Sequence, residues 1–176
     1  MVYRGYALID ASTGRLEHTV IPQTPMDEVY MNANGTATVI STGNTYTKMS
    51  GTTTSGMLQD FDMPANNRLR YTGATTKNFH IGCTISISSA GANDVVAAVI
   101  YKNGAVNGSN EYTSGTQLNA GIIRLKLLNG ADVSSTAIHV MSEMATNDYI
   151  ELAIKNETDA DDLTVSDFNL FAMGGY

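Results

Sequence analysis

The chain has 176 residues, of which 43% are hydrophobic and 15% are charged, and its formal net charge is −7. These values predict one domain with a hydrophobic core and exclude general disorder. The acidic balance argues against a nucleic-acid partner, because phosphate neutralisation needs clusters of Lys and Arg that the sequence lacks. No window approaches the roughly 18 apolar residues of a membrane span. The N-terminus also lacks a secretory-signal pattern, so we expect no membrane partner and synthesis in the cytoplasm.

The first 28 residues differ in pattern from the rest of the chain. Residues 2–9 predict a strand, and residues 10–14 have the chemistry of a turn. Thr24-Pro25-Met26-Asp27 predicts one helical turn, because it offers an N-cap, a first-turn proline and an acid. We interpret residues 1–28 as an extended arm or an added edge strand, and residues 29–176 as the main domain.

From residue 29 onward, the pattern predicts short strands at the spacing of an all-β sandwich or barrel. The clearest strand covers residues 79–88, where Phe79, Ile81, Cys83, Ile85 and Ile87 alternate with polar or small residues. The other predicted strands cover residues 29–31, 36–41, 45–49, 57–61, 68–71, 95–102, 111–118, 122–128, 137–144, 149–155 and 163–173. We therefore predict an antiparallel β-sandwich.

The segment 95–101 is apolar on both faces of its predicted strand. One face of an antiparallel sheet normally meets water, so such a strand needs a second cover. We expect that cover to be a neighbouring subunit, with the N-terminal arm or another part of the same chain as the alternative. Lys102-Asn103-Gly104-Ala105 then predicts a tight hairpin turn.

Few side chains suggest chemistry. His18, His80 and His139 lie far apart in the sequence and lack metal-binding spacing, so we expect them at the surface or at an interface. Cys83, the single cysteine, lies on an apolar face and predicts a buried core residue, not a nucleophile. The acidic loop 156–162 could supply calcium ligands through Glu157, Asp159, Asp161 and Asp162. It lacks the EF-hand pattern, so we interpret it as a solvated hairpin loop.

The sequence contains no hydrolase elbow, no phosphate-binding loop and no dinucleotide fingerprint. A carboxylate-pair glycosidase has no local motif and stays open at this point. Tyr46, Tyr71, Tyr101 and Tyr112 could line a sugar site, but strand packing and interfaces use aromatic residues as well.

The ordered motifs of residues 45–173 resemble the TNF/C1q-like jelly roll found in bacteriophage virion proteins. The resemblance rests on four short motifs in order, with Tyr46-Thr47-Lys48-Met49 upstream of them. They are Arg68-Leu69-Arg70-Tyr71-Thr72-Gly73, Phe79-His80-Ile81 with Thr84-Ile85-Ser86, Lys102-Asn103-Gly104, and Asp148-Tyr149-Ile150-Glu151-Leu152 with Asn156-Glu157-Thr158.

This resemblance implies a homotrimer and a role as a virion structural protein. The expected function is a capsid decoration or cement protein on the capsid surface, bound to the major capsid protein or another virion protein. The alternative is the receptor- or carbohydrate-binding tip of a phage tail fibre. We expect no enzyme activity and assign no catalytic, cofactor or metal site. The predicted trimer interface is Val95, Ala97, Val99, Tyr101 and Phe171, and the predicted capsid contacts on the arm are Tyr3, Arg4, Tyr6, Leu8 and Ile9.

Overall fold

A computed structural model describes residues 5–9, 16–20, 24–130 and 132–174. Within these ranges the regular secondary structure is β-strand except for a single 3-10 turn at Asn119–Gly121. The all-β prediction is therefore confirmed. No helix in the described ranges has the length and apolar character that crossing a membrane requires.

The N-terminal segment forms a hairpin of its own. Strand β1 (Gly5–Ile9) pairs antiparallel with β2 (Leu16–Val20), and among the described residues these two strands make a separate two-stranded sheet. Of the predicted capsid contacts, Tyr6, Leu8 and Ile9 belong to β1. Tyr3 and Arg4 lie outside the described residues.

The helical turn predicted at residues 24–27 is wrong. Strand β3 (Met26–Met31) occupies this position, and its residues pair with the last strand of the chain from Met31↔Phe168 to Met26↔Met173. Tertiary pairing thus overrides a local capping signal that was only one turn long. The predicted boundary between arm and main domain, at residue 28, falls inside this strand.

Two antiparallel sheets make up the body of the molecule. After β3, their strands are β4 (Thr47–Lys48), β5 (Thr54–Gln59), β6 (Phe61–Asp62), β7 (Leu69–Tyr71), β8 (Lys77–Ser89), β9 (Asp94–Val106), β10 (Tyr112–Gln117), β11 (Ile123–Leu127), β12 (Ser134–Met144), β13 (Tyr149–Asn156) and β14 (Leu163–Gly174). One sheet is ordered β12-β8-β14-β3-β5, and the other β10-β9-β13-β7-β6, with β11 added beside β9 and β4 beside β13.

The core lies between the two sheets. The alternating residues of β8, from Phe79 to Ile87, are buried there and confirm the predicted pattern. Cys83 is among them, and burial raises the pKa of its thiol, so the core assignment of this residue is confirmed. Phe61, Tyr71 and Phe79 form an aromatic cluster with ring centroids 5.0 to 5.3 Å apart.

Two local predictions are wrong. The Asn103-Gly104 pair does not make a hairpin turn, because β9 continues to Val106. Asn103 has a φ of 55° and marks an irregularity in the pairing of β9 with β10. Its side chain donates to Asp148 at 2.7 Å and accepts from the backbone N–H of Tyr149 at 2.9 Å, which fixes a bulge. The segment 36–41 contains one bridge, Thr38↔Leu163, instead of a strand.

Candidate interaction surface

The outer face of the five-stranded sheet carries exposed methionines. Met26, Met57, Met141 and Met173 are 38%, 66%, 64% and 45% exposed. Met26, Met141 and Met173 lie in β3, β12 and β14, where the residue next to each methionine is buried. The methionine side chains therefore project away from the core. Methionine is flexible and polarisable and is used at adaptable binding surfaces. Grouped on one face, these residues make an exposed apolar feature of this sheet.

Strand register brings the methionines into a row. Met141 on β12 lies opposite His80 on β8, His80 lies opposite Met173 on β14, and Met173 lies opposite Met26 on β3. We call Met26, His80, Met141 and Met173 the methionine row. It crosses four neighbouring strands, so residues far apart in sequence form one continuous strip.

A second row borders the first and contains His139, Gly82 and Phe171. The tip of the Phe171 ring covers Gly82: a Cβ at position 82 would come within 2.2 Å of the ring. The rings of His80 and His139 stack at 5.2 Å, with His80 Nε2 and His139 Nδ1 3.1 Å apart. Sequence spacing placed these histidines far apart, and antiparallel pairing of β8 with β12 brings them together. This row extends the methionine row with aromatic side chains.

Two shallow depressions lie on the same face. The apolar one has a volume of about 200 Å³ and is lined by Met26, Asp27, Glu28, Met57, Phe171, Ala172 and Met173. The other has a volume of about 490 Å³ and is lined mainly by Ser, Thr and Asn residues, with Thr84, Ser135 and Asn169 among them. The outer face therefore carries two concave sites.

A buried carboxyl lies beside the apolar depression. Asp27 is 5% exposed, and its Oδ2 has no hydrogen-bond partner in the described part of the chain. Burial raises the pKa of this carboxyl to about 7, with smaller contributions from the charges of Glu28 and Asp62. The group therefore changes charge near neutral pH.

The residues predicted for a trimer interface divide between the two outer faces of the sandwich. Phe171 lies beside the methionine row, whereas Val95, Ala97, Val99 and Tyr101 lie on β9 in the other sheet. Ala97 and Val99 are already 1% and 0% exposed in the single chain. Cover by the same chain thus accounts for the burial of these two residues.

The cover over β9 is built from aromatic and long charged side chains. Tyr101 stacks on Tyr112 at 4.2 Å, and Tyr46 packs edge-on against Tyr101 at 5.9 Å. Lys155, which lies opposite Ala97, holds its Nζ 4.8 Å from the centre of the Tyr46 ring. Three of the tyrosines considered for a sugar site therefore pack on this sheet, while Tyr71 lies in the core.

A buried ion-pair network anchors this cover, and no pattern in the sequence predicts it. Glu151 is 0% exposed. Its carboxylate accepts hydrogen bonds from Lys48 Nζ, from Arg68 Nε at 2.8 Å and from the Tyr112 hydroxyl at 3.0 Å. Arg68 also lies 3.8 Å from the centre of the Tyr149 ring. The network joins strands β4, β10 and β13 and the residue before β7, so it has a structural role.

Comparison with known proteins identifies the fold. No protein-family model matches the chain, and no curated protein matches its sequence. The antiparallel jelly roll does match solved structures of murine APRIL. The structure at pH 5.0 aligns with a TM-score of 0.56 and 10% identity, over 86% of this chain and 99% of that chain. A structure at pH 8.0 aligns with a TM-score of 0.51 and 10% identity, over 84% of this chain and 98% of that chain. The chain therefore has a TNF-like jelly-roll fold, and identity this low shows the fold alone.

Proposed function

We propose that this chain is a trimeric virion structural protein that decorates a phage capsid. It would act by binding, not by catalysis. The methionine row carries the trimer part of this proposal, since an apolar strip across four strands is the kind of surface that subunits bury against each other. The phage part rests on the order of the sequence motifs, which resemble virion jelly rolls.

We place the subunit contact on the outer face of the five-stranded sheet. Of the residues predicted from sequence for this contact, we retain Phe171, which borders the apolar depression. Val95, Ala97, Val99 and Tyr101 lie on the opposite outer face, and we do not place the contact there because Ala97 and Val99 are already buried within one chain. A closed trimer would bury the exposed methionines, and the loss of that apolar area from water would drive assembly.

The N-terminal hairpin is the proposed capsid contact. β1 and β2 pair with each other, and among the described residues they add no strand to either main sheet. Such a hairpin is available to pair with or pack on another protein, as expected for an arm. A decoration protein that bridges capsid subunits stabilises the assembled shell by mass action, because it binds the shell and not the free subunits.

Deletion of the arm tests the capsid role. β3 begins at Met26, so the cut that spares the sandwich removes residues 1–23. We expect the shortened protein to remain a folded trimer. It should no longer co-sediment with phage heads that lack their decoration protein. The full chain would bind the same heads and serves as the control. Equal binding by the two forms would contradict the role of the arm.

A polar depression favours the second candidate, a receptor- or carbohydrate-binding tip of a tail fibre. It has a volume of about 300 Å³, and its lining includes Thr38, Ser41, Gly108, Ser109 and Asn110. Hydroxyl and amide groups in a concave site suit sugar hydroxyls. Binding on a glycan array, together with localisation to the tail, would favour this candidate over the capsid role.

A further inference from the structure

Two loops at one end of the sandwich bring three carboxylates together. Asp94 begins β9, and Asp159 and Asp161 belong to the loop between β13 and β14. One carboxylate oxygen from each residue lies within 4.8 Å of those of the other two. A cation with ligands at about 2.4 Å can lie between oxygens at such separations.

The Asp94 side chain shows that this is more than a surface group of acids. Asp94 is 0% exposed. Its Oδ2 accepts a hydrogen bond from Ser89 Oγ, but its Oδ1 has no hydrogen-bond partner among the described residues. A buried carboxylate oxygen without a partner is strongly unfavourable, and native structures seldom tolerate one. A cation placed among the three carboxylates would supply the missing partner.

The two loops are fixed in position around this point. The Ala90 N–H donates to the carbonyl of Asp162 at 2.9 Å, which joins the loops. Asp159 Oδ1 accepts from Asn156 Nδ2 at 2.7 Å and from the Asp161 N–H at 2.9 Å. A Cβ at position 91 would lie 1.7 Å from Asp161 Oδ2 and 3.0 Å from Asp94 Oδ2, so a side chain at this position would displace the carboxylates.

In the part of the chain that the structure describes, no cation forms an ion pair with these three carboxylates. The ion pairs formed among the described residues use other carboxylates, with Glu151, Asp62, Asp148 and Glu157 as the acidic partners. The like charges of Asp159, Asp94 and Asp162 lie close to Asp161, and a bound cation would relieve their repulsion.

We propose that Asp94, Asp159 and Asp161 form a calcium site that clamps the loop after β8 to the loop after β13. Three carboxylates, completed by water or backbone carbonyls, suit the six to eight oxygen ligands of Ca²⁺. Mg²⁺ is a poorer fit, because it requires near-ideal octahedral geometry at shorter distances. The calcium ligands considered from the sequence of the acidic loop did not include Asp94, because only the pairing of the strands brings this residue to the site.

Calcium titration of the full-length protein tests the proposal. After treatment with EDTA, isothermal titration with calcium chloride should show about one ion per chain with a Kd below about 1 mM. About 10 mM calcium should raise the Tm by roughly 5 °C, because the ion binds the folded state. Magnesium chloride should bind at least about tenfold more weakly.

The variants Asp161→Asn and Asp94→Asn should each weaken calcium binding by about tenfold or more, since each removes a charged ligand. Asp60→Asn makes the same charge change at an exposed residue with a φ of 61°, which Asn accepts, and should bind as the unmodified chain does. If Asp94→Asn does not fold, the calcium affinity of Asp161→Asn tests the site by itself. The proposal is overturned by an unmodified chain that shows neither heat nor Tm shift, by unchanged binding in Asp161→Asn, or by magnesium binding as tight as calcium.

Discussion

Glu151 shows how much a single residue can differ from its sequence pattern. It occupies an alternate position of β13 that the sequence assigns to the outer face, and polar residues there usually meet water. The structure buries it completely because Lys48, Arg68 and Tyr112 converge on its carboxylate. The three partners come from distant parts of the chain, so no local spacing could have predicted the network.

Replacing Glu151 with Gln should destabilise the protein by about 3 kcal/mol, because Lys48 and Arg68 would lose their partially buried counter-charge. Urea unfolding monitored by circular dichroism measures the change. Glu157→Gln is the matched control: this carboxylate also pairs with two cations, Arg124 and Lys155, but Arg124 is 57% exposed. We expect Glu157→Gln to lower the free energy of unfolding by less than about 1 kcal/mol. Equal effects of the two substitutions would contradict the buried network.

Asp27 predicts a pH dependence. Its pKa is about 7 in the fold and 3.8 in the ordinary carboxyl, so its contribution to stability is complete below pH 3.8 and is lost as the pH rises to 7. The Asp27→Asn side chain is neutral at every pH. The unfolding free energy of this variant should therefore be higher than that of the unmodified chain by about 2 kcal/mol at pH 8, and little different at pH 4. Urea unfolding at the two pH values checks this, and a difference that does not grow with pH would contradict it.

At the scale of elements, the sequence predicts strands well where alternation is long. The predicted strands 79–88, 137–144, 149–155 and 163–173 correspond to β8, β12, β13 and β14, with ends displaced by up to three residues. The failures at residues 24–27 and 103–104 share one cause. Each rests on a two- to four-residue signal, which pairing with a distant strand overrode.

Strand β9 gives a test of how its outer face is covered. Val99 is 0% exposed within one chain. Val99→Asp would bury an uncompensated charge, so we expect loss of folding and not merely loss of assembly. Circular dichroism and gel filtration measure the two effects. Val133→Asp, at a 60% exposed position, should fold normally. A folded monomeric Val99→Asp protein would show that a neighbouring subunit, not the chain itself, covers this face.

At the scale of the whole molecule, the sequence predicts the sandwich and an apolar surface for assembly, but not which face carries that surface. Counting alternate positions from the core residues of β8, β12 and β14 marks His80, Met141 and Met173 as outward-facing. Their union in one row depends on strand order and register. The register is set by contacts between distant strands, which one sequence does not reveal.

The mass of the protein in solution tests the central claim most directly. Light scattering during gel filtration should give three times the 18.8 kDa chain mass for the unmodified protein. Met141→Glu combined with Met173→Glu should give a folded monomer, because two charges would have to be buried in the interface. Val39→Glu, at a 60% exposed position away from the row, should remain a trimer. A monomeric unmodified chain, or a double variant that stays trimeric, would contradict assembly through the methionine row.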